Sequence, residues 1–331
     1  MHRRPHLIAL LATMLLVGGV LTGCSGGALP GHGGASGNDA AELAEDTCWT
    51  GDLLGSDPQE ARRLSSRYAV AYPVVAQAIA TWPSFARRVR CDRDHQVEVY
   101  KVLRLPDLEP KLGDYAALLR TQAPLYATVS RSVARGCMGA ALARAVAKAG
   151  LPGAVMAPVL PEGASLGWAP APPGPWSKGV REFACTLTWR QPSSTRYAAV
   201  FTGHFPTGSR TCIDSHALVY VDCAREHDRE RIAVIDARDA VATGAFPGPK
   251  AIRNAFGGRS LAVSDATYRR LDAACTAYLR AISSTRKLTG VANIDVDEWP
   301  ASDGAYPIYC EADRSPDEKS LITQGSVYDR G

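Results

Sequence analysis

The sequence predicts an α+β fold of two tandem, disulfide-stapled modules, and three observations lead there. The motif V-x-C-x3-H-x2-E occurs twice, at 89–98 and again at 221–230. About fifty residues after each copy a cysteine sits in a helical pattern, Cys137 and Cys275, and a tryptophan then precedes a further cysteine, Trp176 before Cys185 and Trp299 before Cys310. Short β-rich runs alternate with helical ones, but they are too short and dispersed for a parallel doubly wound sheet. Each module is therefore expected to be a small mixed or antiparallel sheet packed by one or two helices, with the halves side by side in approximate twofold symmetry.

At the start of the chain, His2, Arg3 and Arg4 precede an apolar run, 7–21, which has the length and flanks of an export signal and is too short for a stable span. The run ends Leu21-Thr22-Gly23-Cys24, which resembles a bacterial lipobox. Residues 1–23 are thus expected to be a lipoprotein signal peptide, and Cys24 the lipidated new N-terminus. Two or three acyl chains, each methylene contributing about 0.8 kcal/mol, anchor a protein durably where one does not. Residues 24–46 are rich in Gly, Ser and Ala without apolar period, and such a tether has a root-mean-square reach of about 25 Å. The modules are placed at 47–205 and 206–331.

Within the first module, 58–79 is helical between Cys48 and Cys91. A strand covers 95–105, helices cover 114–122 and 127–149, and strands cover 183–189 and 196–203. The second module has strands at 216–222, 231–237, 306–311 and 319–325, and a helix at 265–283 capped by Ser264. The Pro-rich stretch 158–175 is expected to be irregular, a possible binding loop. Gly257-Gly258-Arg259-Ser260 is expected to be a turn.

Removing Arg3 and Arg4 lowers the basic count from 37 to 35 against 33 acidic residues, a balance of +2 that argues against nucleic acid as a partner. Nine cysteines less Cys24 leave eight, an even number in an exported chain, so four disulfides are expected. One solution pairs equivalent cysteines equivalently: Cys48 with Cys91, Cys137 with Cys185, Cys212 with Cys223 and Cys275 with Cys310. At 7 % aromatic content each module has few large apolar residues, and such bridges substitute for a larger core.

The sharpest candidates for chemistry are His95 with Glu98 and His227 with Glu230, since imidazole and carboxylate serve metal ligation and acid–base work alike. Duplication of the set in both halves favours a shared structural duty, with the His bonded to backbone and locked to the Glu. Cys212-x3-His216-x6-Cys223-x3-His227 also has the ligand types of a tetrahedral zinc site, but an oxidising compartment favours the bridge. Nucleophile-elbow, phosphate-loop, H-E-x2-H and dinucleotide motifs are missing. The six tryptophans, Trp49, Trp82, Trp168, Trp176, Trp189 and Trp299, are expected to be core or loop anchors ahead of a sugar-stacking platform.

Taken together, C-x3-H-x2-E-V, the helix cysteine and Trp176-Ser177-Lys178-Gly179-Val180-Arg181 ahead of Cys185 resemble the septum-formation domain of actinobacterial envelope proteins. The second copy departs at Trp299-Pro300-Ala301-Ser302, which lacks Gly and Arg at those offsets, and at Arg231 where Val99 follows the first motif. The resemblance covers most of 48–325 and implies a membrane-anchored, extracytoplasmic lipoprotein of division or the cell wall. It carries no catalytic residues, metal or cofactor to transfer. The expected role is therefore non-enzymatic binding of an envelope protein or a cell-wall polymer; a metal-assisted hydrolase or ligand sensor using His95 and Glu98 is the alternative.

Overall fold

A computed structural model describes residues 41–201, 210–214, 217, 219–255, 258–283, 288–302, 304–314 and 325–328. The export signal, Cys24 and most of the tether lie outside these residues, as do His204, His216 and most of the strand expected at 319–325. Among the described residues no helix is long and apolar enough to cross a membrane.

The first sheet is antiparallel throughout. It is built from β1 (Thr47–Thr50), β2 (Arg87–Val89), β3 (His95–Arg104), β5 (Ala164–Pro170) and β6 (Glu182–Ser193) in the order β2-β1-β3-β6-β5. Between β1 and β2 run α1 (Pro58–Tyr68) and α2 (Tyr72–Ile79). The continuous helix expected there is broken where Ala69 takes a left-handed φ of 50°. Asp57 caps α1 by accepting from the Gln59 amide, with Pro58 supplying the fixed φ of a first turn.

The second sheet repeats that order. It contains β7 (Thr211–Asp214), β8 (Val219–Asp222), β9 (Arg229–Asp236), β12 (Leu288–Asn293) and β13 (Pro307–Arg314), ordered β8-β7-β9-β13-β12 and again antiparallel. Each sheet carries one long helix stapled to its central strand pair. Helix α4 (Pro124–Cys137) is bridged from Cys137 to Cys185 on β6, and α8 (Asp265–Ile282) from Cys275 to Cys310 on β13. Cys48–Cys91 and Cys212–Cys223 tie β1 and β7 to the loops that precede β3 and β9. Short helices α3 (Ala116–Leu119), α6 (Pro173–Ser177) and α7 (Arg238–Ala242) and a hairpin of β10 (Ile252–Ala255) with β11 (Gly258–Leu261) complete the described elements.

The cores do not divide at residue 205. The helix expected over 127–149 stops at Cys137, because Met138 is extended (ψ 130°), and restarts as α5 (Ala140–Ala149). Leu142, Ala145, Val146 and Ala149 of α5 belong to the second core, beside Leu271, Cys275 and Tyr278 of α8. β4 (Val155–Pro158) then pairs with the C-terminal half of β9, Val155 opposite Asp236 and Pro158 opposite Ala233. Chain from the first half thus completes the second sheet, and residues 35–331 form one unit.

Three further expectations are corrected. The stretch 158–175 is not one loop, since it contains β5 and the start of α6. The strand expected at 196–203 is, from Tyr197 to Phe201, a 3₁₀ turn, and Gly258 to Ser260 lie in β11. The tether ends earlier than 46, because Ala41 and Leu43 are buried in the first core and Glu45 accepts from the Val102 amide at 3.0 Å.

Candidate functional site

His95 opens β3 and is fully buried. Its Nδ1 lies 2.8 Å from the Arg93 carbonyl, and a carbonyl only accepts, so Nδ1 carries the hydrogen. Nε2 is buried without a hydrogen-bond partner among the described residues. Glu98, 1 % exposed, does not bond His95; it accepts from the Tyr197 amide at 2.5 Å and from Arg196 Nε at 3.1 Å. Arg196 also reaches Asp46 at 2.7 Å, so one carboxylate gathers the segment after β6 and the base of the tether onto β3.

The second copy does the same. His227 Nδ1 donates to the Arg225 carbonyl at 2.8 Å, while Glu230 accepts from Ser326 Oγ at 2.7 Å and the Val327 amide at 2.6 Å. A hydrogen bond to a charged group is worth about 1.5–3 kcal/mol and leaves that group little freedom for a substrate. The lock expected between His and Glu is therefore two separate locks, each closed on backbone.

The W-x2-G-x-R string is explained by packing. Trp176 is 2 % exposed and packs edge-on to Tyr115 and Phe183 at 5.5 and 5.9 Å. Gly179 takes φ 91°, which turns the chain so that Arg181 folds back with its guanidinium 4.6 Å from the Trp176 ring. Trp299, without that Gly and Arg, packs instead on Phe246 and Tyr306 at 5.9 and 5.1 Å. Trp49 and Trp82 are also buried, whereas Trp168 and Trp189 are half-buried.

Both sulfurs of Cys212 and Cys223 lie with a nitrogen of His227 inside 4.8 Å. The sulfurs are bonded to each other, so neither is the thiolate that zinc requires, and the tetrahedral reading of this spacing is set aside.

Among the described residues, one open surface lies on each sheet. In the first sheet one face, with Thr47, Trp49, Val97, Val99 and Thr186, is largely covered by the chain between β1 and β2, where Phe85 meets Trp49 edge-on at 5.7 Å. Its remaining part is a cleft of about 500 Å³ lined by Gly51, Asp52, Gln96, Ser165, Thr188 and Arg190 among others.

Only residues 215–218 separate β7 from β8 in the second sheet, so among the described residues the matching face has no such cover from between those strands, and it carries Ile213, Tyr220, Arg229, Arg231 and Glu311. There the Arg231 guanidinium lies 3.5 Å from the Tyr309 ring and 5.3 Å from that of Tyr220, whose hydroxyl accepts from it at 3.0 Å. Glu311, wholly buried beneath, sits 3.6 Å from Arg229 and 3.8 Å from Arg231. Tyr220, 62 % exposed, and Val219, 47 % exposed, are prominent apolar side chains at the edge of this face.

Neither surface was named from the sequence. The cleft draws on β3, β5, β6 and the loop after β1, far apart in the chain, so no local spacing marks it. The second face carried one signal, the charged Arg231 where the first copy has Val99. The chain matches no protein-family model, no curated protein and no solved structure.

Proposed function

We propose that this protein is a lipid-anchored, extracytoplasmic binding or scaffold lipoprotein of the cell envelope, without catalytic activity, acting in division or on the cell wall. We further infer that its halves are copies of one module. The same strand order, bridges at equivalent positions and the same Glu-to-backbone clamp support the duplication. The septum-formation resemblance supplies the process, and the lipobox at Cys24 supplies the anchor.

One observation carries the non-catalytic reading. In both copies the motif carboxylate is buried, and its oxygens are spent on N–H or O–H groups of the following segment. A reaction centre needs a carboxylate that a substrate reaches. Binding then falls to the two open surfaces, with an envelope protein or a cell-wall polymer as the partner.

The test compares wild type with Cys24→Ala and His95→Ala in the native host. Expected are incorporation of a palmitate analogue only where Cys24 is present, altered septa on deletion, and a lower melting temperature for His95→Ala. Normal septa after deletion would remove the division role. A hydrolytic activity lost in a His95→Ala protein of unchanged melting temperature would overturn the non-catalytic reading.

A further inference from the structure

The cleft on the first sheet is lined by polar groups that keep unused hydrogen-bonding capacity among the described residues. Its floor is the strand face of Val97, Ser165 and Thr188, and its corners are Gly51 and Gly163, at φ 148° and 81°. A side chain on Gly51 would lie 2.3 Å from the Ser84 carbonyl oxygen, so only glycine lets the wall approach so closely. The Gly51 amide donates to Gln96 Oε1 at 3.3 Å, and this assigns the other end of that side-chain amide as two N–H donors. Gln96 Nε2 has no partner among the described residues.

Thr188 Oγ1 lies 2.7 Å from Ser165 Oγ, either hydroxyl serving as donor, and 3.3 Å from the Ser165 carbonyl. Either way Ser165 Oγ keeps a lone pair with which to accept. The Asp52 carboxylate and the Arg190 guanidinium make no hydrogen bond or ion pair among the described residues, and both line the cleft. Leu53, 37 % exposed, adds apolar surface.

One acid and one base cancel, so the cleft has no net charge with which to favour an anion such as a phosphate. The lining thus offers donors on Gln96 and Arg190 and acceptors on Asp52 and Ser165 beside apolar wall. A ligand that answers them needs closely spaced groups that both donate and accept, together with a C–H face. Sugar hydroxyls on a pyranose or furanose ring have this chemistry, and about 500 Å³ lies within the 300–1,000 Å³ usual for ligand sites.

We propose that this cleft binds a neutral saccharide unit of a cell-wall polymer, Asp52 accepting from vicinal hydroxyls and Gln96 and Arg190 donating to ring or hydroxyl oxygens. This rests on the wall-polymer arm of the proposed function and names where and how it is met.

The experiment uses the full chain in detergent, titrated by calorimetry with soluble tetramers of N-acetylglucosamine, galactose, arabinose and mannose. In parallel the chain is sedimented with insoluble cell-wall material. At least one tetramer is expected to bind, with Asp52→Ala and Gln96→Glu, which keeps the acceptor for the Gly51 amide and removes the Nε2 donors, each weakening it at least tenfold at unchanged melting temperature and Tyr220→Ala leaving it unchanged. No binding to any tetramer at millimolar concentration, or binding indifferent to Asp52 and Gln96, overturns the saccharide cleft. Sedimentation with wall material distinguishes the cause: where it persists, the envelope reading stands and only the cleft assignment falls; where it too is lost, the wall-polymer arm falls with it.

Discussion

At the scale of single residues, burial decides which groups respond to pH. Tyr197 and Tyr328 are pushed from their ordinary 10 up to about 12, first by desolvation, which disfavours the phenolate. For Tyr197 the nearby Glu98 carboxylate adds to the rise, and for Tyr328 the Glu230 carboxylate does so. Because the folded state holds these protons more tightly than the unfolded one, their stabilisation is complete below pH 10 and is lost as pH rises through 12. Melting temperature should therefore fall across that window, and the double change Tyr197→Phe with Tyr328→Phe should flatten the fall; an identical fall in the double variant would contradict it. The His and Glu of the repeat were visible in the sequence as a pair, but the partners of the Glu were not. The His bonds backbone two residues away, as expected, but the Glu partners include backbone amides about a hundred residues away, Tyr197 for Glu98 and Val327 for Glu230, and backbone amides leave no mark in a sequence.

Elements were legible where a pattern was local or repeated. Cysteine positions in two copies pointed to one pairing, and Ser264 marked the start of α8 at Asp265. Residues 158–175 were misread because β5 is poor in β-branched residues and ends in Pro170, which an edge strand tolerates. The break between α4 and α5 lacks a proline, and only Gly139 hinted at it.

Two predictions belong here. On the chain-entropy model, removing Cys137–Cys185, with a separation of 48, should cost about 4 kcal/mol and removing Cys212–Cys223, with a separation of 11, about 3 kcal/mol. Denaturant melts of the paired Ser variants would show the order, and a larger cost for the short loop would contradict it. Gly290 on β12 runs so close to α8 that an added Cβ would lie 2.3 Å from backbone atoms of Cys275 and Thr276, so Gly290→Ala should cost about 1–3 kcal/mol. Gly113, with nothing within 4 Å, should accept alanine within about 0.5 kcal/mol, and equal costs at the two sites would show that the close approach is not what matters.

For the whole molecule, α5 and β4, which precede residue 205, pack into the second core and sheet and join the two halves of the chain. A fragment ending at residue 205 would expose Leu142 and Val146, buried here against the second core, and a fragment beginning at 206 would leave half of one β9 edge unpaired. Calorimetry should show one cooperative transition for the whole chain, and two resolved transitions would mean that the modules fold separately. The doubled cysteine motif was readable from the sequence, but the placement of α5 and β4 in the second core was not, because the packing that fixes it is shared between distant segments. The central claim, that the duplicated motif is a clamp and not a reaction centre, is tested most directly by the melting temperatures and wall binding of Glu98→Ala and Glu230→Ala. Each variant strands a backbone amide that the carboxylate now satisfies, so each should melt about 4–10 °C lower while the folded fraction binds as wild type does. Unchanged melting with binding or activity lost would contradict the claim.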